Sequence, residues 1–238
     1  MKQTFTIDDF NKFKTLLNIK ETPSITDINL LDKSKKYLKY AKFIPWIKLI
    51  AVWNSVWMNN STPDSDIDLF VITNKNTLWF VRIALTFFMQ IFWLRKTQKK
   101  HAWRFCLSFF CTTQSMDFSD FVIENDIYLY FWIVHLKPIF DIDNTFTSFI
   151  NTQSWADFSD YENIINENKK SIIFKKSTNQ KNYQLISILN KVLKSIFLPR
   201  SIAHCKKLWN PYWIIIHDNM LKFHNNDKRK EIKKEILW

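Results

Sequence analysis

The chain of 238 residues contains no glycine. Average usage of about 7% would place roughly 17 in a chain this long. Glycine supplies positive φ in tight turns and at helix ends, and Asn replaces it only in part. Such turns must therefore be avoided here or made by other residues. Tryptophan, by contrast, occurs 11 times. Several tryptophans stand where glycine suits the chain better: Trp53 and Trp57 flank a turn, Trp93 closes a helix, and Trp103 precedes a strand. Two readings stay open. Either the source organism reads UGA as glycine and this sequence was translated with UGA as tryptophan, or the protein is genuinely glycine-free. The genomic codons decide between them.

Cysteine is scarce. Cys106, Cys111 and Cys205 have neither paired metal spacing nor a disulfide framework, which points to a reducing, cytoplasmic setting. Met1-Lys2-Gln3-Thr4 leads into a polar, acidic helix start that lacks the apolar core of a signal peptide. Long apolar runs are also missing, with one exception. Residues 78–94 approach the lower limit for a membrane span. There, Arg82, Thr86, Gln90 and Trp93 fall on one side, opposite Val81, Leu85, Phe88 and Phe92. An arginine so near the bilayer interior is costly, so a helix covering a sheet is expected and no membrane span. Acidic residues number 22 against 34 Lys and Arg, a formal charge of +12. That excess suits an anionic substrate or nucleic acid, although an AT-rich genome also enriches lysine.

What remains is ample for a core: 47% of residues are apolar and 24% charged. Thr6 caps a first helix ahead of Asp8 and Asp9, and a second runs from about Thr26 to before Pro45. Short apolar runs at 46–52, 66–73 and 104–111 read as strands, with the long helix between the second and third. Helices follow at 127–136, 183–197 and 227–237, the second carrying a Leu185, Leu189, Val192 and Ile196 stripe. The expected architecture is α/β (α+β): a small mixed sheet with helices on one side. Its expected parts are a helical lead-in at 1–45, a core at 46–145 and a helical C-terminal region at 146–238.

The chemistry concentrates in residues 54–69. Asn54-Ser55 opens a turn; ten residues separate Ser55 from Asp66, and Ser65-Asp66-Ile67-Asp68-Leu69 starts a strand. On a strand, Asp66 and Asp68 share a face and their carboxylates converge. Such a pair suits Mg²⁺, a hard cation that prefers oxygen ligands and keeps waters for substrate phosphates. Ser55 at a helix start offers a hydroxyl and backbone N–H groups to phosphate.

This stretch resembles the signature of the polymerase-β-like nucleotidyltransferase superfamily: a Gly-Ser pair, a gap that this spacing fits, then acid-apolar-acid-apolar. Similarity to nucleotidyltransferase-like proteins of small-genome bacteria extends over Ile44 to Lys48, Arg104 to Phe110, Leu136-Lys137-Pro138 and Leu221 to His224. The resemblance implies the nucleotidyltransferase fold and Mg²⁺-dependent transfer of a nucleoside monophosphate from an NTP to a hydroxyl. Asp66 and Asp68 would be its catalytic metal ligands, and Asn54, Ser55 and Ser65 its nucleotide-binding residues. The acceptor is open among small molecules, RNA and protein.

Two departures matter. Asn54 stands where the family has glycine, and the strand at 104–111 contains no acid where a third carboxylate belongs; Ser108 is its only hydroxyl. Asp117, Asp120 or Glu124 would have to reach in. A degenerate protein that binds nucleotide, RNA or a protein partner is therefore the alternative, and a membrane-associated protein a third. Asp141-Ile142-Asp143 reads as a surface loop, and His217-Asp218 and His224 with Asp227 lack a third ligand. Cys106 and Cys111 fall on opposite faces of a regular strand. Arg95, Lys96, Lys99, Lys100 and Arg104 form a basic stretch suited to a polynucleotide or a triphosphate tail.

Overall fold

Both N-terminal helices begin where the sequence supplies reciprocal caps. The computed structural model describes residues 2–53, 56, 58–97, 99–174, 183–206, 214–223 and 227–237. In α1 (Ile7–Leu16) the Thr6 hydroxyl accepts from the Asp9 N–H, while the Asp9 carboxylate accepts from the Thr6 N–H. Ser24 and Asp27 do the same for α2 (Ile25–Leu38). Each box satisfies donors that the first helical turn leaves unpaired. A short 3-10 turn, Lys39–Phe43, then leads into the sheet.

The sheet has six described strands: β1 (Ile47–Trp53), β2 (Ile67–Thr73), β3 (Phe105–Thr112), β4 (Lys137–Asp141), β5 (Ile214–His217) and β6 (Met220–Phe223), in the order β4-β1-β2-β3-β6-β5. Only β2 and β3 run parallel. A parallel pair needs a crossover, and α3 (Leu78–Ile91) supplies it. The remaining helices are α4 (Ile127–Val134), α5 (Thr145–Thr152), α6 (Glu162–Lys169), α7 (Tyr183–Lys206) and α8 (Arg229–Leu237). The mixed α/β architecture read from the sequence is the one observed.

Helices cover the sheet on both sides rather than one. Leu49, Ala51, Phe70, Ile72 and Phe109 pack with α4, α5 and α8 in one core. Ile50, Val52, Leu69, Val71 and Phe110 pack with α2 and α3 in a second. Every residue of β2 is buried, as a strand covered on two faces requires. The C-terminal region is not wholly helical either: β6 joins β3 and extends the sheet.

The apolar run around Arg82 is the crossover helix. Leu78, Trp79, Val81, Leu85 and Met89 are buried beneath it, whereas Phe92 and Trp93 lie exposed. No helix among the described residues is long and apolar enough to cross a membrane. Its first turn is capped from a distance, because the Asn190 carbonyl in α7 accepts from the Trp79 and Phe80 N–H groups. The Leu185, Leu189, Val192 and Ile196 stripe of α7 faces outward, while Ile186, Leu193 and Phe197 pack inward.

Left-handed backbone is frequent for a chain without glycine. Asn18, Asn59, Asn76, Asn125, Asp143 and Asn144 take positive φ, as Asn and Asp tolerate. Trp46, Trp93 and Trp103 do so too, at φ 67°, 55° and 61°. For a bulky side chain this is an outlier. Trp53, by contrast, is a buried β1 residue without positive φ, and Trp57 is outside the described residues.

Candidate metal centre

β1 and β3 flank the start of β2, and Asp68 lies across from Trp53 on one side and Cys106 on the other. Asp66 and Asp68 are brought together as the alternation of a strand requires. The third member of the group is Cys106: one ligand atom from each of the three residues lies within 4.8 Å of the others. Asp68 is buried and Asp66 partly so.

Cys106 enters through an irregularity. Between the Asp68↔Cys106 and Phe70↔Phe109 pairs, β3 carries one residue more than β2. Such a bulge breaks alternation and re-aims the side chains before it. Cys106 and Cys111 consequently share a face, contrary to the expectation for a regular strand. They are not neighbours for all that, since Cys111 is sealed in the core and Cys106 borders the acids.

Electrostatics in the group are opposed. Burial, and then the Asp68 charge, push the Asp66 pKa above the ordinary carboxylate value, against the pull of Lys96. The Lys96 ammonium is 2.7 Å from Asp66 Oδ2. Burial and Asp68 also push the Cys106 thiol up, so it rests protonated. Tyr128 of α4 feels Asp68 as well, and burial holds its phenol protonated.

The other site candidates lie as follows. Asn54 and Ser55 are outside the described residues. Ser65 closes a turn: its hydroxyl accepts from the Thr62 N–H at 2.9 Å, and its carbonyl accepts from the Trp103 N–H. Asp27 anchors the same segment by accepting from the Ser61 N–H; burial works against its charge, but hydrogen bonds from Ser24 and Ser61 leave its pKa lowered. Asp117 holds Ser154 at 2.6 Å, while Asp120 and Glu124 are exposed; none joins the acid group. Asp141 is buried at the end of β4 and accepts from the Phe146 N–H, so it does not belong to a surface loop. Asp143 pairs with Lys48 at 2.6 Å. His217 is exposed and Asp218 pairs with Lys194; His224 is outside the described residues.

Sequence reasoning placed Lys96 in a basic stretch but missed its ion pair with Asp66. It also missed Arg82, which lines a cavity of about 430 Å³ together with Lys96 and Cys106. Comparison of the chain with protein-family models, with curated proteins and with solved structures finds no match. The site must be read from its own chemistry.

Proposed function

We propose that the chain is a divalent-cation-dependent nucleotidyltransferase that moves a nucleoside monophosphate from an NTP to a hydroxyl acceptor. The observation that carries this reading is the convergence of Asp66, Asp68 and a third donor at the start of β2. The donor set fits a hard divalent cation through its two carboxylates, with Mg²⁺ as the natural choice. Bound there, the metal would supply charge neutralisation for the phosphates and activation of the attacking hydroxyl.

The chain's own residues have narrower tasks. Asp66 and Asp68 hold the cation. Their mutual repulsion, which raises the Asp66 pKa, is relieved when positive charge arrives. Lys96 provides that charge from the protein itself and must yield Asp66 Oδ2 when a cation binds. Ser55 remains the phosphate anchor implied by the resemblance, with Asn54 and Ser65 shaping its loop. A cytoplasmic location is part of this reading, supported by the free Cys106, Cys111 and Cys205.

A second reading rests on a specific contact. Lys96 already neutralises Asp66, and a thiol stands where the family has a third carboxylate. Both suit a degenerate protein that binds nucleotide, RNA or a protein partner without turnover. Incubation with labelled NTPs, Mg²⁺ and small-molecule, RNA or protein acceptors separates the two. Transfer or pyrophosphate release that disappears in Asp68→Asn supports the enzyme; nucleotide binding with no product under any condition supports the alternative. Lys96→Gln should tighten Mg²⁺ binding in calorimetry, and weaker binding would contradict the competition between lysine and metal.

A further inference from the structure

The Arg82 cavity is lined by cations from three parts of the chain. Arg82 comes from α3, Arg95 and Lys96 from the segment after it, and Arg200 from α7; Cys106 and Ser108 of β3 form its floor. No acidic side chain is among its described lining residues. Arg82 is the telling member. Its guanidinium lies over Phe223, with Cζ 4.2 Å from that ring centroid and 5.5 Å from the Phe110 centroid. Its Nη1 is buried and makes no hydrogen bond among the described residues. A buried cationic donor left unbonded is unfavourable, and a second arginine nearby makes it more so. Burial and then Arg95 accordingly lower the Arg82 pKa to about 10.

We propose that this cavity is an anion site for the terminal phosphate of a small phosphomonoester, with Arg82, Arg95 and Arg200 as its ligands. The volume of about 430 Å³ suits a small molecule and not a duplex. Arginine's planar fork matches phosphate oxygens, and the Arg82 guanidinium already lies over an aromatic ring. Lys96 and Cys106 border both the cavity and the acid pair, so a molecule whose phosphate is seated here can extend past them toward Asp66 and Asp68. The acceptor is thus a phosphorylated alcohol. That last step rests on the nucleotidyltransferase reading, whereas the anion site does not.

The test is calorimetry in metal-free buffer with inorganic phosphate, ribose 5-phosphate and a single-stranded oligonucleotide. Wild-type protein should bind both small phosphates saturably, and Arg82→Gln should weaken them about tenfold or more, the worth of a charge-assisted contact. Arg200→Gln, on an exposed helix position, gives the same readout should Arg82→Gln misfold. Asp66→Asn should keep phosphate binding. Absence of saturable binding, variants that bind like wild type, or arginine-dependent binding of the oligonucleotide alone would overturn the proposal. Phosphate binding without NTP turnover leaves the anion site standing and removes the enzyme; turnover without phosphate binding does the reverse.

A different observation carries a second inference. Trp93 and Trp103 bracket the segment that brings Arg95 and Lys96 to the site, and both are left-handed; Trp46, directly before β1, is too. The buried Trp46 indole N–H finds no partner among the described residues. We infer that positions 46, 93 and 103 are made as glycine in the native protein. Peptide mass spectra of protein isolated from its source should show glycine at all three. Tryptophan at these positions would overturn the inference.

Discussion

Asp66 strains the fold at the place where function would be expected. Its pKa lies above the unfolded carboxylate value of 3.8, so the folded state favours the protonated acid. That contribution is complete below 3.8 and is lost as pH rises through the folded pKa. Asp66→Asn should therefore raise the unfolding free energy of metal-free protein at neutral pH, and the gain should shrink in acid. Urea unfolding from acid to neutral pH measures this; a variant less stable than wild type at neutral pH would show that Lys96 outweighs burial and Asp68. Trp93 presents a simpler case. It is 76% exposed and left-handed, so its ring adds little packing while its backbone opposes the turn. Trp93→Gly in the recombinant chain should stabilise it by about 1 kcal/mol in denaturant titration. At this scale the acid pair was legible because strand alternation alone joins Asp66 to Asp68. Cys106 was not, since one extra residue in β3 inverted its face and only the neighbouring strand reveals that.

Among elements, local signals were readable and distant ones were not. Thr6 with Asp9 announced α1, because a capping box is complete within about four residues. The cap on α3 comes from Asn190, 111 residues away from Trp79, and no local pattern marks it. Asn190→Leu should cost about 1–3 kcal/mol in urea unfolding, the penalty for stranding buried donors. Asn190→Asp, which keeps the acceptor at a helix N-terminus, should recover most of that loss. The β5–β6 hairpin escaped notice for a similar reason: its strands are four residues each and owe their place to β3. Pro138 sits in β4, an edge strand of the sheet, where a residue without an N–H is tolerated.

Packing of α1 on α4 gives another testable link. The His135 ring stacks on Phe10 at 5.0 Å, and its Nδ1 is 2.8 Å from the Phe131 carbonyl. Burial lowers its pKa from 6.5 to about 4, against the pull of that carbonyl. A depressed pKa gives stability that is present above pH 6.5 and lost as pH falls through about 4. Wild type should lose on the order of 3 kcal/mol more than His135→Gln across that window, at about 1.4 kcal/mol for each tenfold difference in proton affinity between the folded and unfolded chain. Equal acid sensitivity of the two proteins would contradict the buried neutral histidine.

Across the whole molecule, the six-stranded sheet fixes the site. β2 is sealed on both faces, and its polar opening is where the chain can hold two carboxylates against a neighbouring strand. Some of the basic residues that give the chain its +12 charge gather in one place: Lys96 pairs with Asp66 and shares a cavity with Arg82, Arg95 and Arg200. The sequence excess of lysine and arginine suggested an anionic partner, but only the fold shows which cations share one cavity. Whether Asp66 and Asp68 hold a divalent cation for a nucleotide is decided by calorimetric titration of each NTP with Mg²⁺ into wild type and Asp68→Asn. Magnesium-dependent binding of at least one NTP that vanishes in the variant is the predicted result, and binding that ignores both magnesium and the substitution would contradict it.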